Sequence, residues 1–432
     1  MQHSHDALDR PGGVGRSRLL SPLKHRDFRI LWSGMTISLL GDGIFLVAIA
    51  WESYTLWNAP AALSLVSIGM TVPMIAFLLL GGVVSDRCDR RTVMACADAL
   101  RAVAVAVLAA LVLTDAVRFW ELVVLVAAYG AGTAFFTPAF EAIVPDLVPG
   151  EDLPAANALD QFVRPIALRL VGPVVGGALV AVSAGVAFAV DAASFTATFV
   201  SVLALRVSPQ RAEHASTGAA LKEGFRFVRG RVWLWGTLVS AALAYLVFLG
   251  PAEVLLPFVV KNELHASAQT LGLVLAAGGV GAVGAATLMG RQGHPRRDVT
   301  VMYATWTVAT LALAGYGLAR AAWQLMIACL VFNALEAAGT IVWATIKQRH
   351  VPGALLGRVS SLDWLISIAL MPVSFALTAP VAGALGARTT LVGAAVVGAA
   401  VTLGGYLLPG MTDIERDPGT VLPSAPKVPA EV

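Results

Sequence analysis

The residues with the clearest chemical potential form one short charged run between two apolar stretches. Within ten residues the run contains two acids and three arginines, and its candidate gating residues are Gly82, Asp86, Arg87, Arg90 and Arg91. Because apolar stretches flank it on both sides, we expect the run to lie at the mouth of a helix bundle, where its charges can form ion pairs. The run therefore predicts a charge-locked gate. The alternative is a short loop whose arginines only orient the flanking helices.

Other charged residues lie inside the apolar stretches themselves. A charge at the centre of a membrane helix costs about 2.5–3.5 kcal/mol on insertion scales, so each one needs a partner or a function. An acid there can bind a proton with an affinity that changes with conformation, as proton-coupled exchange requires. We take Asp42, Asp98, Arg101 and Glu336 as the candidates for proton coupling or substrate binding. Further residues of the same kind are Arg169, Asp191, Glu253 and Asp363.

Each of these candidates also has a purely structural interpretation. Asp42 and Glu336 can be held by structural hydrogen bonds, and this alternative stays open for both. Asp98 and Arg101 are three residues apart and share one helical face, so a fixed ion pair is the simplest interpretation of them.

The chain lacks the motifs of the common enzyme and metal sites. It contains no Walker motif, no His-Glu-x-x-His and no Gly-x-Ser-x-Gly. The 3 cysteines have no metal-binding spacing, and the 7 histidines fall in predicted tails or loops. We therefore predict a protein that is not an enzyme and has no cofactor and no metal site.

The elements that must position the charged residues are membrane helices. The chain is 57% hydrophobic and only 13% charged, whereas a soluble protein carries about 25% charged residues. A bilayer core about 30 Å thick needs about 20 apolar residues per helix. This predicts an all-α membrane protein with twelve spans, near residues 29–55, 61–84, 92–113, 120–143, 158–182, 185–206, 232–258, 269–290, 299–319, 322–345, 357–383 and 388–408.

The distribution of Lys and Arg predicts the orientation of these spans. With the N-terminus inside, 24 of the 30 Lys and Arg residues fall in cytoplasmic segments and 4 in external ones. This asymmetry predicts a multi-pass protein of the cell inner (plasma) membrane with both termini cytoplasmic. The net charge of +3 is then a topology signal and gives no support to nucleic-acid binding. The polar start of the chain lacks the features of a signal peptide.

The spans divide into two sets of six around one charged segment. We predict a cytoplasmic N-terminal tail at 1–27, a first six-helix bundle at 28–206, a linker at 207–231, a second bundle at 232–409 and a disordered cytoplasmic tail at 410–432. The linker can form an in-plane amphipathic helix or an ordinary charged connection. Short matches at offsets of 203 to 207 residues, such as Arg90-Arg91 with Arg296-Arg297, indicate that the bundles are related by a pseudo-repeat.

These features resemble the major facilitator superfamily. The charged run is similar to the superfamily's signature between helices 2 and 3. Over nearly the whole chain, the sequence is similar to the drug-efflux branch that contains macrolide and enterobactin exporters, through segments such as 23–29, 135–139 and 144–149. The fifth span resembles an antiporter signature at Gly172, Pro173, Gly176 and Gly177, but its earlier glycine position is occupied by Leu168.

The resemblance implies a function and a role for the gate. Asp86 is expected to lock the cytoplasmic side by facing the N-terminal end of the eleventh span, near Gly357. The counterpart of Asp86 in the second half falls near Gly290, so the lock is expected to be asymmetric. The implied function is export of an amphiphilic small molecule such as a drug, natural product or siderophore, with protons as the coupling ion and the protein acting as a monomer in the bilayer. The alternatives are lipid or solute transport in another direction and a non-transporting receptor.

Overall fold

A computed structural model describes residues 20–206, 217–292 and 297–416. Within these ranges, 12 helices are long and apolar enough to cross a membrane. Those of the first half are α1 (Arg26–Leu56), α2 (Pro60–Arg87), α3 (Arg90–Leu113), α4 (Phe119–Leu147), α5 (Leu153–Val182) and α6 (Ala184–Leu203). A connecting helix, α7 (Thr217–Arg229), follows. Those of the second half are α8 (Val232–Glu263), α9 (Ala268–Gln292), α10 (Asp298–Leu318), α11 (Ala322–His350), α12 (Leu355–Leu385) and α13 (Ala387–Tyr406).

The two halves repeat one packing scheme, which confirms the predicted fold of two related six-helix bundles. In the first half, α2 packs on α4, α3 packs on α4 and α6, and α1 packs on α6. In the second half, α9 packs on α11, α10 packs on α11 and α13, and α8 packs on α13. These are the same partners after a shift of six membrane helices, as expected for a duplicated unit.

The most extensive packing between the halves follows two helix pairs. The Gly172–Val182 part of α5 packs on α9, and α2 packs on the Met371–Leu385 part of α12. We call the end of the bundle that carries Arg90 the basic face, and the end that carries Lys261 the opposite face. Both parts, Gly172–Val182 and Met371–Leu385, lie on the half of their helix nearer the opposite face.

Helix α7 occupies the described part of the predicted linker. Its Glu223 side chain accepts a hydrogen bond from Arg358, and Val228 is buried. Phe225, by contrast, is 56% exposed. The helix therefore docks on the second half at the start of α12, while its position in the plane of a membrane stays a prediction. Residues 207–216 of the linker lie outside the described residues.

The beginning of the predicted disordered tail is ordered, so that prediction was wrong for residues 410–416. Met411 is 1% exposed and packs into the core of the second half. Glu415 accepts hydrogen bonds from the backbone nitrogen of Thr300, at 2.7 Å, and from its hydroxyl, at 2.9 Å. These bonds satisfy groups in the first turn of α10, which has no cap of its own. The segment therefore folds because it completes that helix; residues 417–432, like 1–19, lie outside the described residues.

Candidate functional site

Asp98 and Arg101 form an ion pair in the core of the first half. Both lie on α3, and their side chains are 0% and 4% exposed. The Arg101 guanidinium donates to Asp98 Oδ1 and lies 4.5 Å and 4.4 Å from the ring centroids of Phe136 and Phe195. Among the described residues, Asp98 Oδ2 and Arg101 Nε have no hydrogen-bond partner. The pair is therefore enclosed by aromatic rings and only partly satisfied.

Two more carboxyl groups approach this pair from neighbouring helices. Asp42, near the middle of α1, accepts a hydrogen bond of 2.6 Å from the Tyr129 hydroxyl on α4. Asp191 on α6 is 0% exposed and accepts a bond of 3.2 Å from Ser194, while its Oδ2 has no partner within the described ranges. A Cβ at Gly41 would lie only 2.4 Å from Asp191 Oδ1. The glycine therefore lets Asp191 approach the turn of α1 that carries Asp42.

Charge is unbalanced in this group, which we call the carboxylate cluster (Asp42, Asp98, Arg101 and Asp191). Three carboxyl groups share one guanidinium, and the charge of Arg101 acts on all three of them. Burying several unpaired carboxylates together is unfavourable, and one of them can be neutralised by a proton. The cluster can therefore bind and release a proton while its side chains stay buried in the protein.

A second polar group spans the two halves, with members near the middle of α5 and α11 and on α8. Arg169 lies on a π-helical stretch of α5, Ile166–Val171, and its Nη1 is 3.4 Å from Asn333 Oδ1 on α11. Glu253 lies on a π-helical stretch of α8, Pro251–Leu255, and interacts electrostatically with Arg169. π-helical turns often mark functional sites in membrane and soluble proteins. Both charges thus sit where a molecule between the halves would be in reach.

Glu336 belongs to the same region. It lies one turn after Asn333 on α11, is half-buried and accepts a hydrogen bond of 3.0 Å from Thr340. The structural hydrogen bond considered from the sequence is present, and it does not occupy both carboxylate oxygens. Asp363, another candidate, instead accepts bonds from Lys347 and Trp343 nearer the basic face.

Most of the charged run is helical, whereas the sequence predicted a loop. Helix α2 continues through Gly82 and Asp86 to Arg87, and only two residues separate it from α3. Arg90 donates to Asp146 and to the Ala142 carbonyl oxygen on α4, each at 2.8 Å. Arg91 donates to the Leu203 carbonyl oxygen at the end of α6. Both arginines are therefore bonded within the first half, and a lock between the halves stays a prediction.

The opposite face, in contrast, is closed by contacts between the halves. The Tyr54 hydroxyl donates to the Val254 carbonyl oxygen at 2.5 Å. Lys261 donates to the Trp51 carbonyl oxygen at 3.2 Å and to Thr55 Oγ1 at 2.7 Å. Among the side chains that the structure describes, these bonds and the Arg169–Asn333 contact are the hydrogen bonds that join the halves.

The glycines of the fifth-span signature lie at close helix contacts. A Cβ at Gly172 would lie 2.7 Å from the Gly43 Cα, and one at Gly176 would lie 2.9 Å from the Ile44 Cα, both on α1. At Gly177 it would lie 2.8 Å from the Ala268 carbonyl oxygen on α9, in the other half. Pro173 lies in the first turn of this part of α5, where the backbone N–H that proline lacks is not required. The signature thus positions α5 against both α1 and α9.

Sequence reasoning missed the aromatic partners of the charges. Tyr129 is stacked on Phe45 at 4.5 Å and bonds Asp42, while Phe136 and Phe195 enclose Arg101. They lie on α1, α4 and α6, so no spacing along the chain connects them with α3. The available signal was only the presence of a tyrosine inside an apolar span.

Comparison with known proteins identifies the family. The family model described as transmembrane secretion effector matches residues 17–427. The enterobactin exporter EntS of Citrobacter koseri is 29% identical over 402 residues, which cover 90% of this chain and 92% of that protein. Macrolide efflux protein A of Streptococcus pyogenes is 24% identical over 366 residues, covering 83% and 90%.

Solved structures share the fold. A bacterial homologue of the human lysosomal transporter Spinster, in an inward-facing and unoccupied conformation, superposes with a TM-score of 0.65 at 15% identity, covering 90% of this chain and 97% of that one. A bacterial homologue of the iron transporter ferroportin, in an inward-facing state, has a TM-score of 0.65 at 16% identity, covering 88% and 99%. The chain therefore belongs to the transmembrane secretion effector family of the major facilitator superfamily, and it is a membrane transporter and not an enzyme.

Proposed function

We propose that this transporter exports an amphiphilic small molecule by alternating access, in exchange for protons. Its relatives include an enterobactin exporter and a macrolide efflux protein, and both names support the outward direction. The excess of Lys and Arg at the basic face supports a cytoplasmic location for that face and for both termini. The protein is then a monomer of the inner membrane that takes up its substrate on the cytoplasmic side.

The observation that carries this proposal is where the halves are joined. Among the side chains that the structure describes, the hydrogen bonds between halves lie near the middle of α5 and α11 and at the opposite face. The arginines at the basic face bond inside their own half. This arrangement fits a state closed to the outside and accessible from the cytoplasm. In the alternate state, the contacts of Tyr54 and Lys261 would separate, and Asp86 would complete the lock at the basic face.

The carboxylate cluster is the proposed proton carrier. Arg101 is one guanidinium among three carboxyl groups, so a small displacement of α1 or α6 against α3 changes which carboxyl group it neutralises. A change of that kind alters the proton affinity of the others, because like charges at short range disfavour ionisation. Glu336 and Glu253, with Arg169, are proposed to sense the substrate between the halves. Helix α5 carries Arg169 and packs on α1, which carries Asp42. Movement of α5 would therefore couple substrate binding to the carboxylate cluster, and export would follow from this coupling.

The proposal is tested by flux in proteoliposomes. Purified protein is reconstituted, one orientation is selected by the accessibility of the native Cys88 to an impermeant maleimide, and a panel of fluorescent amphiphiles is followed with and without a pH gradient. We expect accumulation of at least one compound on the side opposite the basic face, driven by protons moving the other way. Asp98→Asn should abolish the response to the pH gradient.

Glu121→Asp, at the far end of α4 from the basic face, should leave flux unchanged, since this residue caps the first turn of that helix and an aspartate there keeps the charge. Flux with no dependence on the gradient would contradict proton coupling. Movement toward the basic face would contradict export and favour import by the same fold.

A further inference from the structure

The first half contains a cavity whose wall includes none of the charged residues of the two polar groups described above. Its volume is about 320 Å³, and it lies between α1, α4 and α5. It is on the half of the bundle nearer the basic face, because its wall includes the first turns of α1 and of α5 and the last turns of α4. Small-molecule sites begin at about 300 Å³, so the cavity is large enough for the rigid body of a compact ligand.

Most of the wall is apolar and aromatic. Trp32 on α1 and Phe136 and Phe140 on α4 line it, and the two phenylalanines are 4% and 7% exposed. Phe136 and Phe140 are stacked on each other with centroids 5.9 Å apart. Buried, stacked rings cannot rotate freely, so these two form a fixed apolar part of the wall. Aromatic faces attract cations as well as apolar groups.

The polar part of the wall carries an excess negative charge. Asp160 and Arg164 on α5 form a bidentate pair, with Nη2 at 3.2 Å from each carboxylate oxygen, and so neutralise each other. Glu141 on α4 is exposed and lines the cavity. The charges of Arg164 and Asp160 act on it with opposite signs. In the described part of the chain, no side chain or backbone group donates a hydrogen bond to it. One carboxylate is therefore left available to a ligand.

We propose that this cavity binds an organic cation with an aromatic or branched apolar body, held by the Glu141 carboxylate, the Trp32 ring and the apolar wall that Phe136 and Phe140 form. A neutral ligand would leave Glu141 without a counterion, and an anion would be repelled by it, so the wall selects a cation. The inference rests on the proposed function only in taking this ligand to be the exported molecule. The position near the basic face makes the cavity the loading site of the cytoplasmic side.

The cavity is also connected to the carboxylate cluster by a shared ring. Phe136 lines the cavity and lies 4.5 Å from the Arg101 guanidinium. A cation in the cavity and a proton in the cluster would therefore repel each other across one aromatic ring in a medium that screens charge poorly. Binding of the ligand would favour release of the proton, which is the sign that exchange requires.

The test is equilibrium binding of two ions of nearly the same shape and opposite charge. The full chain is placed in nanodiscs of neutral lipid, and binding of tetraphenylphosphonium and tetraphenylborate is measured with radiolabelled ions, after subtraction of binding to empty nanodiscs. We expect the phosphonium to bind at least tenfold more tightly than the borate. Glu141→Gln should weaken the phosphonium about tenfold, the effect of losing one charged contact, and reduce the difference between the ions.

Two further variants locate the site and guard against misfolding. Glu151→Gln, in the exposed turn between α4 and α5, is the matched control and should bind as the unaltered chain does. Trp32→Phe keeps a ring in the wall, so it should retain binding, whereas Trp32→Ala should weaken it. Equal affinity for the two ions, or an unchanged affinity in a folded Glu141→Gln protein, would overturn the inference.

The outcomes also separate this inference from the proposed function. A protein that transports panel compounds but binds both ions equally overturns the cavity assignment and leaves export standing. A protein that binds the phosphonium through Glu141 but moves no compound supports the cavity and contradicts the proposed function.

Discussion

Replacing Gly272 with alanine should shift the protein away from the state closed at the opposite face. A Cβ at Gly272 would lie 2.3 Å from the Pro173 carbonyl oxygen and 3.1 Å from the Gly177 Cα. Both are backbone atoms of α5, so no side chain can rotate away, and α9 must retreat by about 1 Å to restore van der Waals contact. Overpacking of this kind costs about 1–3 kcal/mol.

The size of the shift follows from this cost. The clash exists only while α5 and α9 are in contact, so the full penalty falls on the closed state of the opposite face. A penalty of about 1–3 kcal/mol changes the ratio of the two states by about 5- to 150-fold. An equilibrium that favours the described state by about tenfold would thus move to between about twofold in favour of that state and about 15-fold against it.

Distances between spin labels provide the assay. One pair, at Ala116 and Arg320, reports the opposite face, because these exposed positions lie in turns of different halves; a second pair, at Glu151 and Gln348, reports the basic face. Gly272→Ala should lengthen the first distance and shorten the second.

The matched control is Gly284→Ala on the same helix. A Cβ at that position meets nothing within 4 Å, so the added methyl group should leave both distances unchanged. A folded Gly272→Ala protein with the distances of the unaltered chain would refute the conclusion that this contact closes the opposite face.

Three further predictions address the charged groups. Arg101→Met should lower the unfolding free energy by about 3–5 kcal/mol, because it leaves Asp98 buried without a cation. Thermal melts should show this loss, and the double variant that also carries Asp98→Asn should recover most of it. Asp86→Asn should reduce the population closed at the basic face, and an unchanged distance distribution at that face would argue against the lock. A short 3-10 turn, Ser21–Lys24, precedes α1 and docks on the start of α5. Hydrogen bonds from Ser21 and His25 hold the pKa of Asp152 below its ordinary value, so this carboxylate stabilises the docked turn above about pH 4, and the effect disappears as the pH falls through the lowered value. Asp152→Ala should therefore speed amide exchange in the first turn of α1 at neutral pH, and equal exchange rates there would contradict the docking.

The fold was accessible from the sequence because a bilayer constrains it so strongly. Twelve apolar stretches interrupted by one charged segment leave few arrangements, and a near-constant repeat offset indicates duplication. Boundaries were less accessible. The prediction that residues 410–432 are disordered failed at 410–416, because the low hydropathy of that segment hides two anchors, Met411 and Glu415, that find partners only in the folded second half.

The candidate site was only partly accessible. The spacing of Asp98 and Arg101 within one helix predicts their pairing, and the structure has that pair. Asp42 and Asp191 come from α1 and α6, so their approach to the pair depends on tertiary packing and on the small Gly41 that permits it. The π-helical turns that carry Arg169 and Glu253 leave no clear sequence signal either. Individual charges could be identified from the chain, whereas their grouping could not.

The central claim is that one carboxylate cluster exchanges protons for the exported molecule. The most direct test is to load proteoliposomes with a transported amphiphile and a pH-sensitive dye, and to start transport from equal pH on both sides. We predict that outward movement of the amphiphile drives protons inward and acidifies the interior, and that Asp98→Asn abolishes the acidification. Movement of the amphiphile at full rate with no change of internal pH would contradict the claim.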